Sequence, residues 1–399
     1  MALAAAHDMN ERSKSPQLLD ATMFWSAAGG GVRRYLLRKR EWLRQRGWRH
    51  TLIAPAASQP DIVDCGGWSL PFSGGYRLPL RREQAALLIA RQGPDLIEAG
   101  DPYRLAWAAL DAAQRLGVPA VAFCHSNLGA MAACLAGRNG VAAHLARRTA
   151  QIYLRHVYRQ FDRVFAPSAA MAGELQDLGI ERVERQPLGV DSRVFHPCRR
   201  DPAWRIRWQE SLGLPPGARL LLYTGRFAPE KNLPLLVAAL ERVGPPYFLL
   251  AVGAGPQPPR GERIRVLAHE ERENELARIY ASVDGFLHAG DQETFGLSAL
   301  EAMASGTPLA VRAAAGLAEL VGDDTGVAVA SASVEAWAEA IAALFDSGRE
   351  ARAGAARRRA ETFDWGRVLP RLLGRYQSLL GNYRVLEART DSHSESLVA

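Results

Sequence analysis

The chain is poor in cysteine. Four occur in 399 residues, Cys65, Cys124, Cys134 and Cys198, and none forms a Cys-x-x-Cys pair. That excludes a zinc-ribbon site and a disulfide scaffold, and it fits a reducing compartment such as the cytoplasm. No apolar run reaches the roughly 18–20 residues of a membrane span, so any membrane contact is expected to be peripheral. The first fifteen residues carry Asp8, Glu11 and Lys14 and no apolar core, unlike a secretory signal. Asp-x-Asp is also missing, which argues against carboxylates holding a divalent cation on a diphosphate. There is no Gly-x-Ser-x-Gly elbow and no Walker glycine-lysine loop. Glycine and proline show no fixed period, which excludes collagen-like and repeat architectures.

What is present is an ordinary globular composition, 48% hydrophobic and 23% charged. The length suggests two or three domains. With 49 basic and 42 acidic residues the net charge is +7. Such a balance favours anionic partners, whether nucleic acid, a membrane surface or a phosphorylated substrate.

Two halves read alike. Apolar strands at 18–24, 51–54, 95–98, 120–124 and 163–166 alternate with helical stretches such as 32–46, 105–116 and 141–160. The alternation restarts after 187–197, with strands at 219–223, 247–252, 264–267, 285–288 and 308–311. Helices at 233–242, 273–281 and 297–304 lie between them. This predicts an α/β fold of two tandem Rossmann-like domains, 16–192 and 193–366, facing across a cleft. A final helix, 367–388 within the stretch from Trp365, is long enough to cross back to the first domain. Residues 390–399 are polar and expected to fray.

The strongest motif runs from Glu293 through Thr294, Phe295, Gly296 and Leu297 to Glu301. It places one glutamate on a strand-to-helix turn and the other about two turns into the helix. Free N–H groups at Phe295, Gly296 and Leu297 would suit a phosphate or sugar-phosphate oxygen. After an earlier strand come Gly29, Gly30 and Gly31, which let the backbone approach phosphates closely. His125 follows the strand at 120–124 and points toward the cleft. Asp101, Pro102 and Tyr103 follow another strand end and are placed on the acceptor side.

The Glu293–Glu301 string resembles the E-x7-E motif of retaining family-4 glycosyltransferases, which have the GT-B fold. Other segments match in order: Ala166-Pro167-Ser168, Pro187 to Asp191, Gly225-Arg226 through Lys231-Asn232, and Gly253 to Pro256. The resemblance covers nearly the whole chain. It implies transfer of a sugar from a UDP- or GDP-sugar to an acceptor hydroxyl, with no cofactor and no metal. By that resemblance Arg226 and Lys231, after Gly225, clamp the donor diphosphate. Glu293 binds sugar hydroxyls and Glu301 the ribose. Thr294, Phe295, Gly296 and Leu297 touch sugar and phosphate through their backbone. Leu267 and the residues to His269 meet the base. Gly30 and Gly31 lie beside the diphosphate, and His125 contacts the donor sugar. Two segments depart from the family pattern, Ala313 to Glu319 and His288-Ala289-Gly290.

The stretch 32–46 carries Arg33, Arg34, Arg38, Lys39, Arg40, Arg44 and Arg46 beside an apolar stripe of Val32, Tyr35, Leu36 and Leu43. It reads either as a covering helix with a solvated face or as a basic helix on anionic lipid. Lys39 falls within the stripe, where it either snorkels or reaches the cleft. A nucleotide-sugar epimerase or a sugar phosphorylase is the alternative on the same fold. Nucleic-acid binding is the remote one, and no nucleic-acid partner is expected.

Overall fold

The computed structural model describes residues 15–25, 30–55, 62–69, 76–79 and 81–398, with side chains as far as Tyr383. Gly29, the first of the three glycines, lies outside them.

Two parallel sheets carry the fold, as the alternation predicts. The first has seven strands in the order β3-β2-β1-β6-β7-β8-β9. These are β1 (Gln17–Ala21), β2 (Arg49–Ala54), β3 (Ile62–Asp64), β6 (Leu96–Ala99), β7 (Ala120–Phe123), β8 (Arg163–Ala166) and β9 (Val183–Arg185). A two-stranded antiparallel ribbon, β4 (Trp68–Ser69) and β5 (Arg77–Leu78), stands apart. The second sheet has six strands, β12-β11-β10-β13-β14-β15. They are β10 (Arg219–Thr224), β11 (Tyr247–Val252), β12 (Ile264–Leu267), β13 (Gly285–His288), β14 (Leu309–Arg312) and β15 (Val327–Val329). Central strands are buried along their whole length, as in β1, β7 and β13. Helices cover both faces, so strands such as β7 and β11 read as continuous apolar runs. The short strands β3, β9 and β15 have three residues each and were not expected from sequence.

In each sheet the strand order reverses once, between β1 and β6 and between β10 and β13. A crevice opens outside the carboxyl ends of the strands at such a reversal. The loops after β1, β6, β10 and β13 therefore define the cleft.

The chain crosses between the domains twice, and the crossings bond to each other. Val190 N–H donates to Phe363 C=O at 3.0 Å and Trp365 N–H to Val190 C=O at 3.1 Å. Asp364 accepts the Ser192 N–H at 3.1 Å. A Cβ on Gly189 would stand 2.5 Å from the Trp365 ring, so only glycine fits this seam. The last helix then runs Trp365–Val398, past the expected end and through the polar tail. No glycine or proline after Gly381 interrupts it.

Lys39 neither snorkels nor reaches the cleft. It sits on the first helix (Gly31–Arg44), fully buried. Its Nζ donates at 2.7 Å to both Asp20 and Glu98. Those carboxylates are register partners on the adjacent strands β1 and β6, so both face the same helix. Asp20 also meets His50 Nε2 at 2.5 Å, and Glu98 accepts from the hydroxyl of Tyr376 on the last helix. Burial alone would raise the Asp20 carboxyl, but Lys39 and His50 outweigh it and hold it at about 2. Glu98 must share the ammonium; burial, with Asp20 beside it, pushes it up to about 7.

Below pH 7 the folded chain thus keeps a proton on Glu98 that the unfolded chain releases above about 4.5. Glu98's own contribution to stability therefore falls as pH rises between those values, against the opposite contribution of the buried, neutral His50 and His125. In urea midpoints across pH 4.5–7.5, the parent's advantage over Glu98→Gln should shrink as pH rises. Lys39→Met strands two buried carboxylates and should cost about 3–5 kcal/mol at neutral pH.

Candidate active site

The turn after β10 begins at Gly225, whose φ of 146° favours glycine. A short 3-10 turn, Pro229–Lys231, then brings Lys231 to the mouth of the crevice. Across the strand-order reversal, the loop after β13 supplies Glu293. The two side chains form a close ion pair, and each is more than four-fifths buried. His288, at the end of β13, stands 3.1 Å from the same carboxylate through Nε2. Its Nδ1 accepts the Gly290 N–H at 3.2 Å, so Nε2 is the nitrogen that carries the proton toward Glu293. Burial would raise the Glu293 carboxyl, but Lys231 and His288 outweigh it and hold it well below the usual range. Glu293 is thus a permanent anion, suited to accept hydrogen bonds.

Gly296 follows with φ 100°, and the helix Leu297–Ala304 starts without a side-chain cap. A Cβ on Gly296 would stand 2.5 Å from Leu317. Phe295 is buried against Phe363, leaving its backbone to act. Glu301 lies in the second turn, accepts from Tyr280 Oη at 3.0 Å and pairs with Arg34 of the other domain. Burial raises its carboxyl, with Arg34 only partly offsetting.

The first domain faces this arrangement closely. Gly31 opens the first helix, and a Cβ there would stand 2.5 Å from Leu297 Cδ1. Gly30 precedes it at φ 144°. His125 follows β7, its ring stacked on Phe123 at 4.3 Å and tilted against Tyr35 at 5.3 Å. Its carbonyl accepts from Thr294 Oγ1 at 3.1 Å. Both ring nitrogens are shielded from water and lack a hydrogen-bond partner among the described residues. Burial, with Lys39 nearby, pushes the ring down to about 3, so it is neutral.

Two expectations need correction, for Asp101 and for the first helix. Asp101 does not line an acceptor surface: it is fully buried and accepts the N–H groups of Met23 and Tyr103 at 2.5 and 3.0 Å. It pins the loop after β1, and burial pushes its carboxyl up to about 6. Tyr103 is half-buried and packs edge-on to Phe24 at 6.1 Å. Arg226 is not gathered into the Lys231–Glu293 cluster; it is 61% exposed and pairs with Glu230 at 2.8 Å. The helix Gly31–Arg44 is not free to lie on lipid, because Arg33, Arg34 and Arg38 reach Glu271, Glu301 and Glu273 of the second domain. Leu267 ends β12, half-buried, its carbonyl accepting the Gly253 N–H at 3.1 Å.

Arg138 was not flagged by any motif. It lies between Gly137 and Gly140 in the first domain, at a φ of 63°. Its guanidinium donates to Asn232 Oδ1 at 2.6 Å and to Pro229 C=O at 3.0 Å, on either side of Lys231. Asn232 Nδ2 passes the contact to Ala289 C=O at 3.0 Å. Glu319, in one of the departing segments, also bridges the domains. Its carboxylate accepts the Ala169 and Ala170 N–H groups at 2.9 and 2.6 Å, at the start of the helix Ala169–Asp177.

Residues 29–194 match the family model Glycosyltransferase Family 4, and residues 218–347 match Glycosyl transferases group 1. A GDP-mannose-dependent alpha-mannosyltransferase of Mycobacterium tuberculosis is 34% identical over 76% of this chain and 79% of its own. An enzyme of the same name from Mycolicibacterium smegmatis is 31% identical over 88% and 94%. The chain belongs to glycosyltransferase family 4. It is a glycosyltransferase of GT-B fold. Sucrose-phosphate synthase from Thermosynechococcus elongatus superposes with a TM-score of 0.76 at 21% identity, covering 92% of this chain and all of that one. A Rickettsia africae glycosyltransferase gives 0.72 at 18%, over 92% and 99%.

In this glycosyltransferase Arg138 clasps the loop that carries Lys231. Arg138→Ala removes charge-assisted bonds worth about 1.5–3 kcal/mol. Donor titrations should show KM rising about tenfold or more, with kcat changed less. Arg138→Lys should recover only part, because one ammonium cannot replace the two-pronged contact.

Proposed function

We propose that this glycosyltransferase moves mannose from GDP-mannose to an acceptor hydroxyl, with retention at the anomeric carbon and without a metal ion. The observation that carries the reading is the buried Lys231–Glu293–His288 group at the strand-order reversal, facing the unpartnered ring of His125 across the cleft. The base and sugar rest on the two mannosyltransferases just described.

The chemistry follows from those groups. As the bond from C1 to the diphosphate oxygen breaks, negative charge grows on the leaving GDP. Lys231 and the uncapped start of the helix Leu297–Ala304 stabilise that charge in place of a metal. Arg226, at the rim, swings from Glu230 to add a second cation. Glu293, always ionised, accepts hydrogen bonds from sugar hydroxyls while keeping Lys231 in position. The neutral His125 ring offers one donor and one acceptor to the sugar on the opposite side. The acceptor oxygen bonds to C1 on the face that the diphosphate leaves. Its proton passes to the departing phosphate oxygen, so no protein base is consumed.

Purified protein should release GDP from GDP-mannose in the presence of an acceptor, unaffected by EDTA, and give an α-linked product by NMR. Lys231→Ala should lower kcat/KM by about 10²–10³, with unchanged circular dichroism. A β-linked product would overturn retention. Turnover of the sugar nucleotide alone would point to an epimerase, and phosphate dependence to a phosphorylase.

A further inference from the structure

The helices Leu128–Leu135 and Val141–Tyr158 pack as a hairpin on the first domain. Their outer face is unlike the rest of the surface. Leu135 is 83% exposed, Val141 86%, Leu145 62% and Ile152 63%. Four large aliphatic side chains in one element pair are exposed well beyond the scattered single residues of an ordinary surface.

The arrangement follows helical geometry. Positions 141, 145, 148, 152 and 155 step by four and three residues, so Val141, Leu145, Arg148, Ile152 and Arg155 form one stripe. All five are exposed, while Ala143, Leu154 and Val157 on the opposite side are buried. Cations are interleaved with the aliphatics, and Arg159 continues the stripe. No acidic residue occurs between Asp111 and Asp162, so nothing on this hairpin opposes the charge.

We propose that this hairpin face docks the enzyme on an anionic phospholipid bilayer. Exposed Leu, Ile and Val enter the boundary between headgroups and acyl chains, and the arginines meet lipid phosphates. Nucleic acid would use the arginines and leave the aliphatics in water. The bilayer uses both, and the charge complementarity selects an anionic one. The turn between the helices carries Arg138, which holds the donor loop at Asn232. Docking through this face therefore sets the mouth of the cleft beside the bilayer. The proposal is independent of the donor sugar and of the stereochemistry.

Vesicle sedimentation tests it without any assay of transfer. The full chain should pellet with vesicles of phosphatidylcholine containing phosphatidylglycerol, and not with phosphatidylcholine alone. Leu145→Glu with Ile152→Glu should reduce partitioning about tenfold or more, and Arg148→Ala with Arg155→Ala should weaken its salt dependence. These positions are exposed, so the thermal midpoint should stay that of the parent. Arg44→Ala with Arg46→Ala, at the end of the first helix and in the turn after it, should leave binding unchanged. Failure of the parent to bind anionic vesicles would overturn the proposal. So would equal binding to neutral ones, or undiminished binding by the two glutamate substitutions. Self-association in sedimentation velocity that those substitutions abolish, without vesicle binding, would assign the face to a second copy instead.

Discussion

One buried ammonium holds the first domain's wall of the cleft. Lys39 lies between Asp20 and Glu98, which the register of two neighbouring strands sets side by side. Two carboxylates on adjacent strands beneath a helix would repel and resist burial. A single cation between them, with His50 and Tyr376 completing the hydrogen bonds, makes the arrangement tolerable. Because Lys39 is on the first helix, the same contact sets that helix's rotation and depth. Gly31 and Arg34, about two turns and about one and a half turns away, are thereby delivered to the second domain. Because Tyr376 is on the last helix, the contact also anchors the segment that returns from the second domain.

From this fixed wall the cleft is bridged at several separate places. Arg34 reaches Glu301, Thr294 reaches the His125 carbonyl, Arg138 reaches Asn232, and Glu319 caps a helix of the first domain. These contacts are polar, of one or two bonds each, whereas the covalent crossings at Val190 and Trp365 are bonded to each other and packed tightly. Arg34 adds a specific tension, since its partner Glu301 is the carboxylate that the family resemblance gives to the ribose.

Much of the fold was legible because its central strands are buried on both faces and so read as unbroken apolar runs. The bounds of β11 follow directly from such a run. The edge strands β3, β9 and β15 carry only three residues each, too few to declare a period. The turns around the Lys231–Glu293 pair were legible for a different reason: Gly225, Lys231, Glu293 and Gly296 lie where backbone and charge are locally constrained. The failures share a cause as well. Arginines on the first helix read as surface charge, yet the acids that receive them lie more than two hundred residues away. Asp101 read as a cleft residue, yet its partner is the backbone of another loop.

The sequence by itself determined two parallel-sheet halves and the glycine- and glutamate-bearing turns, because local periodicity and turn chemistry encode both. Tertiary structure alone decided the order of strands within each sheet, which charges are buried and which cross the cleft. It turned Lys39 inward, paired Arg34 with Glu301, drew Arg138 onto the loop that carries Lys231 and left Leu145 and Ile152 in water. The physical reason is that a side chain's charge and its helical face are local properties, whereas its partner is fixed only when distant strands and helices come into register.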